Sequence, residues 1–309
     1  MKRCFATLAA LTVLVMAATP AYAWDNFGHR LVARIAWDNM TPQARARAIT
    51  ILRAAPLETG IRNNFTGTLS AQRQMELFVF AATWPDEVRD TANALRMEKY
   101  HHPYRHYVDT FWRQDTDFGP IQAVDRRPDG DLLRDVPRLQ RWITSGSPEQ
   151  KALGLAWVLH LVGDVHQPLH ASGRMSPKDP WGDAGGNDFK LDAFPDGGRR
   201  SLHSLWDGII TSTMRREGET PAAFLTRAAG EVTSRHPRTG FTAELGQRDF
   251  RQWADSSVAI AKRSVYRAPL VRDQAAPPAY RTAAFQAAEP RVALAGYRLA
   301  DLLNRVLGS

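Results

Sequence analysis

Cysteine is almost missing from this sequence: Cys4 is the only one among 309 residues. An intramolecular disulfide is therefore excluded, and so is a metal site built on several thiolates. Long apolar runs are missing too. The longest covers about a dozen residues near the N-terminus, short of the ~20 needed to cross a bilayer, so a transmembrane helix is not expected. No sustained alternation of apolar and polar residues predicts an extensive sheet, and no internal repeat or clean linker divides the chain. Acidic residues are outnumbered, with 32 Asp and Glu against 40 Lys and Arg and a formal charge of +8. A basic surface favours encounter with polyanions, although exported proteins commonly carry one.

The N-terminus has the three parts of a secretory signal. Lys2 and Arg3 form a charged start, Leu8, Leu11, Val13, Leu14 and Val15 an apolar run, and Ala21-Tyr22-Ala23 a small-residue cleavage site. The expected organisation is a signal peptide over 1–23 and a single domain over 24–309, exported to the periplasm or beyond. Removing Lys2 and Arg3 lowers the charge by two and leaves it basic. Cleavage after Ala23 makes Trp24 the new N-terminus, in Trp-Asp-Asn-Phe-Gly-His. An α-amine titrates near ~8, so a metal ion captures it as a neutral nitrogen far more easily than it captures a lysine.

What is present is helical periodicity, which predicts a mainly α-helical, all-α chain. Leu31, Val32, Ile35 and Ala36 share one face of a first helix, and Thr41-Pro42 caps a second running to about Leu52. Further helices are predicted near 70–82, 86–98, 131–143, 148–166, 201–216, 220–234, 246–265 and 290–307. Irregular stretches remain at roughly 100–130, 171–200 and 267–289, the last with a hinge-like Ala275–Tyr280. Loops this long in a compact domain are more often functional than idle.

Helix 148–166 carries His160 and Asp164, an i,i+4 pair on one face. The run Leu-His-Leu-Val-Gly-Asp-Val-His-Gln-Pro-Leu-His adds His166 and His170, and a second i,i+4 pair follows at His203 and Asp207. Two such pairs are conspicuous in a chain with nine histidines. Each residue also has an ordinary use, since histidines complement a helix C-terminus and carboxylates cap helix starts. Asp86, after Trp84-Pro85, fits the start of a helix. His106, in Arg-His-Tyr-Val-Asp, reads as short extended chain and equally as a satisfied buried histidine. Nitrogen and oxygen donors without thiolates suit catalytic zinc.

This set resembles the exported zinc-dependent phosphodiesterases of the P-one/S-one nuclease type, in the superfamily of zinc phospholipase C. The match runs in order from Trp24 to Asp207. The resemblance implies a helical fold with three Zn²⁺ in a cleft. Asp86, His106, His160 and Asp164 would hold one ion and His170, His203 and Asp207 a second. The amine and carbonyl of Trp24, His29 and a bridging Asp164 would hold the third. It further implies a nuclease for single-stranded DNA and RNA leaving 5′-phosphates, with 3′-nucleotidase activity. Arg89, three residues after Asp86, would meet phosphate oxygens through its fork, or simply pair with Asp86 at the surface. Tyr107 stands where the nucleases carry an aromatic near the base. Gly186 and Asn187, in Asp183-Ala-Gly-Gly-Asn187, offer close backbone approach and a base-edge partner. His166 is expected behind the ligands, and His101, His102 and His236 at the surface. No stable protein partner is implied, and a monomer is expected.

A zinc phospholipase C is the competing enzyme. Against it stand the short gap from Trp24 to His29 and the final His-x-x-x-Asp, where the phospholipases end in Glu. A non-catalytic zinc-binding protein is the other alternative, disfavoured by the complete ligand set and Arg89. The fungal relatives are disulfide-bonded and glycosylated; here the one acceptor match is Asn64-Phe65-Thr66, and the missing cysteines and the signal suggest a bacterial chain.

Overall fold

The computed structural model describes residues 24–193 and 199–308. The predicted signal and its cleavage site lie outside the described residues. Helices α1 (Asn26–Asn39), α2 (Pro42–Arg53) and α3 (Ala71–Ala81) open the chain, followed by the short α4 (Trp84–Glu87) and α5 (Ala94–Tyr100). Then come α6 (Leu132–Ser145), α7 (Pro148–His166), α8 (Leu202–Asp207), α9 (Ile209–Met214) and α10 (Pro221–Arg235). The last are α11 (Thr242–Gly246), α12 (Phe250–Ile260) and α13 (Pro278–Leu307). The mainly helical class agrees with the sequence reading. Among the described residues, no helix is long and apolar enough to cross a membrane.

Helix α7 is the axis of the molecule. Ser147 caps it by accepting from Gln150 N–H while the Gln150 side chain returns to Ser147 N–H, and Pro148 fills the first turn. Every residue from Ala152 to His166 is buried, because α6, α13, α2 and α12 pack around it. A helix apolar all round has no solvent face to keep polar. Its polar exceptions, His160, Asp164 and His166, therefore sit in the protein interior. Gly163 lets α1 come close, since a Cβ there would lie 2.7 Å from His29 Nδ1.

The helix predicted over 86–98 is interrupted. Asp90 accepts from Ala92 N–H and Asn93 from Arg96 N–H, so short polar side chains satisfy the backbone in place of helix continuation. The stretch 201–216 is likewise two helices, α8 and α9, meeting at Gly208. Phe250–Ile260 passes into a π-turn at Ala261–Val265. At the C-terminus the correction runs the other way: α13 starts at Pro278 and continues through Pro290, where a helix start was expected. Tyr280, Ala284 and Ala288 before the proline and Val292, Ala295 and Leu299 after it are all buried. That burial outweighs the ~3 kcal/mol an internal proline costs.

Short strands were not foreseen. β1 (Thr110–Arg113) pairs antiparallel with β2 (Gln122–Ala123) and parallel with β3 (Ser172–Met175), Thr110 opposite Ser172; β4 (Lys190–Ala193) pairs with β5 (Arg199–Ser201). The β1–β3 pair starts four residues after His106 and two after His170. Val108 N–H donates to His170 O at 2.9 Å and Thr110 N–H to Ala171 O at 3.0 Å. The ladder stitches two distant histidine-bearing turns together.

Candidate metal centre

Three groups of donors converge: His29, His160 and Asp164; Asp86, His106 and His160; and His170, His203 and Asp207. All are buried. In the first two, His29 Nε2 lies 3.3 Å from Asp164 Oδ1, and His160 Nε2 lies 3.4 Å from Asp164 Oδ2 and 3.7 Å from Asp86 Oδ1. His106 Nδ1 lies 3.0 Å from His160 Nε2 and 3.9 Å from Asp86 Oδ1. His29 stacks on His160 at 3.8 Å. Asp164 thus touches His29 on one oxygen and His106 and His160 on the other. His106 sits on a 3₁₀ turn, Pro103–His106, not on the extended chain expected, and its ring rests against Trp157 at 5.1 Å.

Backbone carbonyls fix which nitrogen each ring presents. His160 Nδ1 reaches Ala82 O at 2.8 Å, His170 Nδ1 reaches His106 O at 2.8 Å and His203 Nδ1 reaches Gly185 O at 2.7 Å. A carbonyl only accepts, so each Nδ1 carries the proton and each Nε2 of a neutral ring presents a lone pair. His170 Nε2 and His203 Nε2 then face one another at 3.0 Å, with Asp207 Oδ2 3.4 Å from His203 Nε2. Acceptors gathered on acceptors repel. A cation among them turns the repulsion into ligation, and outer partners of this kind are the usual support of metal-bound histidine. Among the described residues, Asp86 Oδ2, His106 Nε2 and Asp164 Oδ1 are also buried without a hydrogen-bond partner. The donor set fits a divalent metal such as zinc.

Burial disfavours charge throughout the cluster. It holds the His29 and His106 rings well below their ordinary range and lowers His160 to about 3. It raises Asp86 to about 7, against the pull of Arg89, and Asp164 and Asp207 well above the carboxylate range. Neutral imidazoles are the ligand form, whereas the carboxyls must shed protons to ligate.

Trp24 is fully buried beside this centre. Asp25 N–H donates to Asp207 O at 3.1 Å, tying the start of α1 to the end of α8, and a Cβ on Gly163 would meet both His29 and Trp24. Arg89 follows α4, makes a short ion pair with Asp86 and is mostly buried, so it is no ordinary surface pair. Gln167, not foreseen, donates to Asp207 Oδ1 at 2.6 Å while its Oε1 accepts from Leu169 N–H at 2.6 Å. His166 departs from its expected place behind the ligands: its Nδ1 reaches Val162 O and its Nε2 meets Arg298. His236 bonds Glu289.

Above the ligands opens a cleft of about 850 Å³, with Arg89, His106, His170 and His203 in its lining. Tyr107 and Asn187 line it as well. So does His101, expected at the surface, while His102 is exposed. Gly186 is buried behind the wall, near Leu169 and Tyr266, with its N–H serving the Asp183 carboxylate. Sequence reasoning missed Asp109, Arg126 and Trp181 in the same lining. Asp109 is raised to about 8, first by burial and then by the Asp183 and Asp129 charges.

A helical scaffold with buried histidine and aspartate groups beneath an open cleft is the arrangement of a metal-dependent hydrolase. The chain belongs to the S1/P1 nuclease family, whose model, described as S1/P1 Nuclease, matches residues 24–308. It is 24% identical to Nuclease PA3 of Penicillium sp over 301 residues, 93% of this chain and 98% of that one. It is also 24% identical to Nuclease P1 of Penicillium citrinum over 308 residues, again 93% and 98%. The similarity to Nuclease S1 of Aspergillus oryzae, 24% over 187 residues, covers 60% of this chain and about half (54%) of that protein.

Proposed function

We propose that the chain is an exported endonuclease with three Zn²⁺ that hydrolyses single-stranded DNA and RNA to 5′-phosphate products and also removes 3′-phosphates from nucleotides. The observation that carries this reading is the convergence of the three donor groups beneath one cleft that Arg89 also lines. Zinc, when bound, supplies Lewis acidity and hydroxide at neutral pH. Asp86, His106, His160 and Asp164 would hold one ion and His170, His203 and Asp207 another. The Trp24 amine and carbonyl, His29 and Asp164 would hold the third. The amine exists only once the chain begins at Trp24, so export and activation are one event.

In the reaction a water oxygen joins phosphorus, the bond from phosphorus to the 3′ oxygen breaks, and a proton ends on the departing 3′ hydroxyl. Arg89 meets the charge developing on the phosphate oxygens, its fork held in place by Asp86. Tyr107 supplies a stacking face for the base and Asn187 a donor and acceptor for its edge. The test is the zinc-loaded chain, beginning at Trp24, offered single-stranded DNA, RNA, duplex DNA, 3′-mononucleotides and a phospholipid side by side. Cleavage of the single strands to 5′-phosphate ends is expected. Predominantly 3′-phosphate ends, or hydrolysis of the phospholipid alone, would overturn the reading.

A further inference from the structure

Of the nine tryptophans, eight are buried or partly buried; Trp181 is 79% exposed. It is also the tryptophan that lines the cleft. A large aromatic left in water beside a metal centre has a use when a flat apolar ligand covers it.

The turn that carries it is tied down by its neighbours. Gly182 N–H and Ser176 N–H both donate to Asp179 O at 3.1 Å, and Arg272 clamps the Asp179 carboxylate. Asp183 N–H donates to Arg174 O at 3.0 Å, and Tyr266 donates to the Asp183 carboxylate at 2.6 Å. Gly182 has φ +102°, and a Cβ there would lie 2.8 Å from the Phe111 ring, so the turn presses against β1. Arg126 Nη1 donates to Trp181 O at 2.5 Å while its guanidinium lies 3.7 Å over Phe111. With the mount fixed, only the two side-chain torsions of the ring remain to be ordered when something stacks on it, a small cost for so large an aromatic surface.

We propose that Trp181 is a stacking platform for a second nucleobase, adjacent in the strand to the one beside Tyr107, so that the cleft grips two consecutive nucleotides. This rests on the nuclease reading and extends it from the scissile phosphate to its flanking base. The exposed Arg126 guanidinium places positive charge next to the platform, where the strand's phosphates pass. A cleft of about 850 Å³ lies near the top of the ~300–1,000 Å³ range for small-molecule sites, which accommodates more than one nucleotide. Stacking is indifferent to which base arrives, so the platform favours oligonucleotides over mononucleotides without reading sequence.

The test is binding to the zinc-loaded chain of a phosphorothioate-linked thymidine dinucleotide and of thymidine 5′-monophosphate, in wild type, Trp181→Phe and Trp181→Leu. Wild type should prefer the dinucleotide, Trp181→Phe should keep most of the preference, and Trp181→Leu should reduce it ~5- to 100-fold. An unchanged ratio in Trp181→Leu, or a wild type that binds both probes equally, would overturn the platform while leaving the nuclease reading standing. A wild type that binds neither probe would overturn both.

Discussion

The two halves of the donor cluster are built differently. Asp86, His29, His160 and Asp164 stand on or beside α4, α1 and α7, the helices of the core, and only His106 comes from a turn. His170, His203 and Asp207 come from a 3₁₀ turn and the six-residue α8, and are held by what the loops lend them: His106 O, Gly185 O and the Gln167 amide. The first half takes its precision from core packing. The second takes it from the same loop backbone that forms the cleft wall, so changes in the loops alter metal site and substrate site together.

The largest effect is expected where the core half is cut at its centre. Asp164→Ala removes the carboxylate that lies against His29 and His106 and His160 at once, and should lose more than one zinc per chain and essentially all activity. Full zinc occupancy by elemental analysis would remove its bridging role. Arg89→Lys keeps the charge and loses the planar fork, so turnover should fall ~10- to 100-fold at constant zinc content. Unchanged turnover would reduce Arg89 to a partner of Asp86.

Gln167→Ala separates the halves. It leaves every ligand in place but removes the donor on Asp207, and second-layer losses of this kind cost ~10- to 100-fold in metal affinity. Chelator titration should therefore show one weakened site and the others unchanged; uniform weakening would mean the halves are not independent.

The smallest effect concerns pH and the metal-stripped chain. Asp86, raised to about 7, and Asp164 and Asp207, raised well above the carboxylate range, give the metal-free fold stability that is present while they are protonated and is lost as pH rises through their folded values. His29, His106 and His160, lowered, act oppositely and lose stability as pH falls below their ordinary value of 6.5. The two groups oppose one another below 6.5, and above it only the carboxyls still change. As pH rises above about 6.5, metal-free Tm should thus fall more steeply than zinc-loaded Tm, in which the ligand carboxyls are already ionised and only Asp109, raised to about 8, still titrates. Parallel curves for the two forms would contradict the assignment of these carboxyls as ligands.

The same contrast separates what was legible in the sequence from what was not. Helix α7 could be read to its last residue because the apolar run from Ala152 to Leu159 and the stop at Gln167-Pro168 agree. The i,i+4 pairs could be read for the same reason. β1 and β3 could not: Thr-Phe-Trp-Arg and Ser-Gly-Arg-Met are too short for an alternation, and their pairing spans some sixty residues of chain. The turn at His106 and the carbonyl behind His170 adjoin that pairing and were hidden with it, as was the Gly185 carbonyl behind His203 in its loop. Gly186 and Asn187 were both expected at the substrate, yet Gly186 is buried behind the wall while Asn187 lines the cleft. Trp181 carried no local signal, since exposure is set by what the fold fails to cover.

Zinc content per chain tests the central claim most directly, measured by elemental analysis on protein beginning at Trp24 and on protein with one residue added before it. Three ions in the first and two in the second, with nuclease activity following the loss, is the predicted result. Full activity in a chain holding less than one zinc would contradict it.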